Sequence, residues 1–269
     1  MVLSDARSSV RSSMHILDET TEADVRARRF DLQVGDETVP GMHWLPREPA
    51  QKHATICIGH GGFQHKLYGN MPELAVQLAQ NLGVGVVALD APNHGDRITD
   101  ADAAKRARDA AVRAANEGRG LRLDPKVRDA MAVRVAMHVA EWRALLDALQ
   151  TDDRWRDGPF GWWGVSMGTS HGIPLVAEDH RITAAVFGLN ALAPGDQTLA
   201  RQAASITIPI LFLTQSDDEL MTRDAALALW DAFGSKRKTL HLNPGGHVQV
   251  PRFERQASED FFRHHLTTV

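Results

Sequence analysis

Residues 164–168 read Gly-Val-Ser-Met-Gly, a single serine held between two glycines. A serine hydroxyl attacks carbonyls only when a base removes its proton, and a histidine base needs an acid to orient it. The chain offers both further on. Three consecutive acids, Asp217, Asp218 and Glu219, precede His247, which follows the pair Gly245-Gly246. A carbonyl under attack also needs donors for its developing oxyanion. The backbone N–H of Met167 follows the serine directly, and those of Gly62 and Phe63 lie in His60-Gly61-Gly62-Phe63. Together these residues predict acyl transfer through a covalent intermediate. Singly, each has a plainer explanation: a glycine-flanked turn, a strand-ending turn, loop-capping acids, a surface histidine.

The elements that must position them are short apolar runs alternating with helical stretches. The runs are 54–59, 84–90, 160–165, 183–189, 208–214 and 238–243. Most are apolar on successive residues, the pattern of strands covered on both faces. Residues 71–82 follow Asn70, carry Pro72 in the first turn and stop at Gly83. Residues 125–149 have Asp124 as a cap, Pro125 at the first helical position, and a stripe at Val127, Met131, Val135, Val139, Trp142 and Leu146. Further helices are predicted over 167–178, 223–233 and 252–265. Such alternation predicts a mostly parallel sheet with helices on both faces. Ahead of it, 27–34 and 38–45 read as an antiparallel hairpin, and Pro40 argues for the sheet edge.

Residues 1–26 are expected to form an arm, and 27–269 a single domain. Residues 97–123, rich in Ala, Arg and Asp, read as a solvated surface helix or as a cap insertion over a site. Trp162 and Trp163 are expected to pack on opposite faces of the sheet. Within the resulting layout, serine, acid and histidine each follow their own strand, in that order.

Composition narrows the class. The chain has 269 residues, a formal net charge of −4 and 43% hydrophobic residues, so it has material for a large core and no basic footprint for nucleic acid. No apolar run approaches a membrane span, and the charged N-terminus lacks the apolar segment of a secretory signal. One cysteine, Cys57, excludes an internal disulfide framework. A cytoplasmic protein is expected. His60, His65, His94 and His171 fall near the same sheet end without recurring ligand spacing, so no metal is expected.

With these motifs in place, the sequence resembles the α/β-hydrolase superfamily over residues 27–265. Asp90-Ala91-Pro92-Asn93-His94-Gly95-Asp96-Arg97 is similar to the D-x-P-x-H-G-x-R stretch of dienelactone-hydrolase-like and peptidase-like esterases. The resemblance implies an α/β-hydrolase fold and a serine esterase acting on a small-molecule ester without a cofactor. It implies Ser166 as nucleophile, His247 as base and Asp218 as the acid among the three candidates. Thr214, Gln215 and Thr222 depart from the family's histidine, glycine and proline around that acid. It also implies an oxyanion hole at Gly62, Phe63 and Met167, with His60 bracing the loop. Phe63 and Gln64, with parts of 97–123, are expected near the substrate. The serine departs from the cysteine nucleophile of dienelactone hydrolases and the aspartate of dehalogenases and epoxide hydrolases. Two other readings remain: a peptidase or amidase with the same machinery, and a binding protein that retains the fold without turnover.

Overall fold

In a computed structural model, residues 13–47, 54–116, 125–153 and 155–267 are described. Their strands form one sheet in the order β1-β2-β3-β5-β4-β6-β7-β8-β9. Strands β1 (Ser13–Glu22), β2 (Val25–Val34) and β3 (Glu37–Pro46) run antiparallel, and β3 joins β5 (Gly85–Leu89) antiparallel as well. From β5 through β4 (Thr55–Gly59), β6 (Phe160–Val165), β7 (Ile182–Gly188), β8 (Ile210–Gln215) and β9 (Lys238–Asn243) every pairing is parallel. Consequently β4, β6, β8 and β9 all release their chains at one end of the sheet, where the candidate residues follow them.

The successive apolar residues of the central strands divide between two cores. Cys57, Val87, Ala185, Phe187, Ile210 and Phe212 face one layer; Ile56, Ile58, Val86, Ala184, Val186 and Leu211 face the other. The first layer comprises α3 (Pro125–Leu149), α4 (Met167–Glu178), α5 (Gln197–Ser205) and α6 (Arg223–Ala232). The second is α1 (Met71–Leu82) and α7 (Phe253–Phe262), which continues into a π-helical turn. Because side chains alternate across a strand, a strand apolar at every position needs both layers. Trp162 enters the first, edge to face with Trp142 of α3 at 5.1 Å between ring centroids. Trp163 points to the opposite layer and donates its indole N–H to Ser258 Oγ of α7.

The helix bounds of α1 and α3 match the sequence expectation; Asp124 and Val127 fall outside what is described of their side chains. The hairpin also forms, with β2 and β3 joined by a two-residue turn at Gly35-Asp36. Pro40 is not at a sheet edge, however, since β3 lies between β2 and β5. Its carbonyl accepts from the Asp90 N–H, 3.0 Å, just past the last β3–β5 pair. Proline cannot return the second bond of that pair, to Asp90 O, and that carbonyl accepts from Arg97 Nη1 (3.2 Å) instead.

Strand β1 lies in the stretch expected as an arm. Its side chains are almost all exposed, so it has no apolar alternation to read; backbone pairing along the sheet edge holds it. Helix α5 also escaped prediction, with Ala203 its single buried residue. Residues 97–123 contain a helix, α2 (Ala101–Asn116), N-capped by Asp100 and with no buried side chain over 101–113. Residues 117–123 of that stretch and the arm's residues 1–12 lie outside the described residues.

Candidate active site

Ser166 joins the end of β6 to the first residue of α4. Its backbone is at φ 56° and ψ −119°, a region that costs a non-glycine residue on the order of 1–3 kcal/mol. Surrounding bonds hold it there: Ser166 N–H donates to Gly188 O (2.9 Å), and its carbonyl accepts from Thr169 N–H (2.9 Å) and Asn190 Nδ2 (3.0 Å). The two glycines of the pentapeptide are steric necessities. A Cβ at Gly168 would lie 2.4 Å from Gly59 O, and one at Gly164 would lie 2.8 Å from Gly168 O. The neighbouring atoms are backbone and cannot give way. Thr169 adds a second clamp, accepting from Gly188 N–H and lying within 2.8 Å of the Gly164 and Gly188 carbonyl oxygens.

The serine, one of the three acids and the histidine meet. Ser166 Oγ lies 3.0 Å from His247 Nε2, and His247 Nδ1 lies 2.8 Å from Asp218 Oδ2. The other Asp218 oxygen accepts from the N–H groups of Leu220 (2.8 Å) and Met221 (2.9 Å). Burial pushes this carboxyl up, but the bonds from His247 and the two amides outweigh it and hold it below its ordinary range. An ionised Asp218 accepts Nδ1–H, leaving Nε2 with a lone pair facing the serine hydroxyl. Asp217 and Glu219 are exposed and touch neither the imidazole nor Ser166.

The loop after β4 leaves the sheet beside this serine, because Gly59 of β4 is opposite Gly164 of β6. Met167 contributes the first amide of α4, one that has no acceptor within its helix. Gln64 folds back so that its Oε1 accepts from Gly61 N–H at 3.0 Å, while Phe63 is exposed at φ 59°. His60 ties the loop to the chain after β5. Its Nδ1 donates to Gly61 O (2.8 Å) and its Nε2 accepts from Ala91 N–H (3.0 Å). Only the neutral ring can do both. Cys57 is buried within β4, and desolvation pushes its thiol up, away from the reactive thiolate.

The D-x-P-x-H-G-x-R stretch is a brace. Asp90, fully buried, accepts from Lys66 Nζ (2.6 Å), Lys66 N–H and Asp96 N–H. Gly95 is required above it, since a Cβ there would lie 2.3 Å from the carboxylate. Arg97 makes a two-pronged pair with Glu141 of α3, 2.9 and 2.8 Å. His138 Nε2 accepts from the Trp142 indole while its Nδ1 faces Glu141. Among the described residues no three His, Cys, Asp or Glu side chains form a group able to hold a metal ion.

These buried histidines give the fold an acid limit. Desolvation pushes His60 down to about 4 and holds His138 and His171 well below the ordinary value. Between pH 6.5 and 4 the unfolded chain takes up protons that the folded chain refuses, so stability is complete above 6.5 and falls through that window. His60 alone accounts for about 3 kcal/mol by pH 4. Urea titrations at stepped pH should show unfolding free energy dropping steeply below pH 6.5, and His60→Gln should make the slope shallower. An equal slope in the variant would exclude His60 as a source.

A cold-adapted esterase from an Arctic intertidal metagenomic library, solved with polyethylene glycol bound, is 34% identical to the chain. The match covers 92% of this chain and 97% of that one, with a TM-score of 0.72. The chain belongs to the α/β-hydrolase superfamily. More distant α/β-hydrolases share its fold: acetyl xylan esterase 1 from a Thermoanaerobacterium species is 14% identical over 94% of this chain and 87% of its own, TM-score 0.67. Dienelactone hydrolase from Anabaena variabilis is also 14% identical, over 95% and 99%, TM-score 0.61. No family model and no curated protein matches the sequence. The expectations for fold and family therefore hold for this α/β-hydrolase. Asn190 and Thr169 were not foreseen, whereas Glu219 stood among the three candidate acids. Asn190 follows the strand next to β6, a position visible only once the strand order is known. No described helix is long and apolar enough to cross a membrane.

Proposed function

We propose that this protein, a carboxylic ester hydrolase, works as a serine esterase through an acyl-enzyme. Ser166 Oγ attacks the ester carbonyl carbon as its proton passes to His247 Nε2, and Asp218 stabilises the imidazolium. The N–H groups of Met167, Gly62 and Phe63 receive the oxyanion. Collapse of the tetrahedral species breaks the acyl–oxygen bond, and the alcohol leaves with the proton from His247. Water then gives a proton to His247, attacks the acyl carbon and releases the acid, returning the proton to Ser166.

The observation that carries this reading is the chain Ser166 Oγ–His247 Nε2 and His247 Nδ1–Asp218 Oδ2, 3.0 and 2.8 Å, on a serine held at positive φ. The strained turn is hard to account for as packing alone, because it exposes a hydroxyl rather than burying an apolar side chain. A fluorophosphonate should add once per chain, on the peptide bearing Ser166, as judged by mass spectrometry. Acyl esters of graded chain length should be turned over, while aminoacyl amides should not. Labelling at any other residue would overturn the assignment, and faster amide cleavage would favour a peptidase.

A further inference from the structure

The turn that carries His247 has an unusual set of partners. Three consecutive amides donate to three different side chains. Gly245 N–H reaches Asp217 Oδ2 (3.0 Å), Gly246 N–H reaches Gln249 Oε1 (2.8 Å), and His247 N–H reaches Glu219 Oε2 (2.9 Å). Two backbone bonds join the same loops: Asp217 N–H to Gly245 O, and Ser216 N–H to Asn243 O. The glycines make room for these side chains. A Cβ at Gly246 would lie 2.7 Å from Glu219 Oε2, and one at Gly245, where φ is 110°, would lie 2.9 Å from Gln249 Oε1.

Asp217, Asp218 and Glu219 thus hold the histidine loop at successive points. Only Asp218 touches the imidazole. Glu219 is exposed, and an exposed carboxylate gains little from a bond that costs it side-chain freedom. Its bond is nevertheless the one that fixes the peptide of His247 itself. That peptide sets where Nε2 falls relative to Ser166, and a displacement of about 1 Å in such a contact costs on the order of 10²-fold in rate.

We propose that Glu219 is a positioning residue for His247, holding the backbone of the base in register with Ser166 through its N–H. This inference rests on the reading of Ser166, His247 and Asp218 given above. The test compares wild type, Glu219→Ala, Glu219→Gln and Ser166→Ala for kcat, KM, Tm and the rate of fluorophosphonate labelling. Glu219→Ala should lower kcat and labelling together by about 10- to 100-fold while KM stays within about twofold. Tm should move by no more than a few degrees, as for other exposed substitutions. Glu219→Gln keeps an acceptor oxygen for the same N–H and should recover kcat to within several-fold of wild type. Glu219→Ala with kcat near wild type would overturn the proposal. So would a glutamine variant as impaired as the alanine one, or a kcat loss that follows a large fall in Tm. Hydrolysis by Ser166→Ala would instead remove the serine reading on which the proposal stands.

Discussion

Ser166→Ala should reduce kcat by about 10⁶-fold, to a residue of activity that the remaining groups supply. In the proposed mechanism the hydroxyl forms the acyl-enzyme bond, and Cys57 cannot take its place: it is enclosed within β4, and burial pushes its thiol up. What should survive under that mechanism is polarisation of the carbonyl by the proposed oxyanion amides, worth about 10³–10⁴ over water in comparable sites. The fold should be unaffected. Ser166 Oγ makes its single hydrogen bond, among the described residues, to His247 Nε2. The bonds that hold the strained turn all belong to the backbone of residue 166 or to Thr169 and Asn190. Alanine tolerates positive φ no worse than serine. Initial rates at enzyme concentrations high enough to see the residual, with circular dichroism as a fold control, decide the matter. Activity within tenfold of wild type would refute nucleophilic catalysis by this serine.

The elements around that serine were legible because they obey strong local rules. β4, β5, β6 and β8 each carry a run of successive apolar residues, and helices α1 and α3 carry a proline at the start with apolar residues at helical spacing behind it. The catalytic candidates were legible for a different reason: each sits just past a strand end, and parallel strands put those ends together. What escaped was held by contacts with no sequence signature. β1 is an exposed strand stabilised by its backbone ladder, and Pro40 is tolerated inside the sheet because Arg97 supplies the donor for Asp90 O that a proline lacks. Glu219 reads as one more loop acid, since nothing in its neighbours reveals that its carboxylate will meet an amide 28 positions on. Choosing among three adjacent acids requires their directions along the turn, and spacing alone does not supply them.

Asp218→Asn should be nearly as damaging as losing the nucleophile, although it changes one oxygen for one NH₂. The direction of the effect follows from the two amides on the far side of the carboxylate. Leu220 and Met221 both donate to Oδ1, at 2.8 and 2.9 Å. An asparagine must therefore keep its carbonyl oxygen there, because an NH₂ would face two donors. Its NH₂ then occupies the position of Oδ2, 2.8 Å from His247 Nδ1. A donor at that point forces Nδ1 to accept, which moves the ring proton to Nε2 and aims an N–H at Ser166 Oγ. The base has become a donor. Turnover should fall by about 10⁴-fold, the size of the wrong-tautomer effect in triads of this kind. Fluorophosphonate labelling should slow in parallel, because it needs the same proton transfer. KM should change little, since Asp218 lies behind the histidine. The ring proton itself can be followed: the Nδ1–H resonance of His247 should lie far downfield in wild type through its bond to a carboxylate and should disappear in the variant. A kcat loss of tenfold or less would mean that the acid orients nothing essential, and the three-residue relay would have to be abandoned.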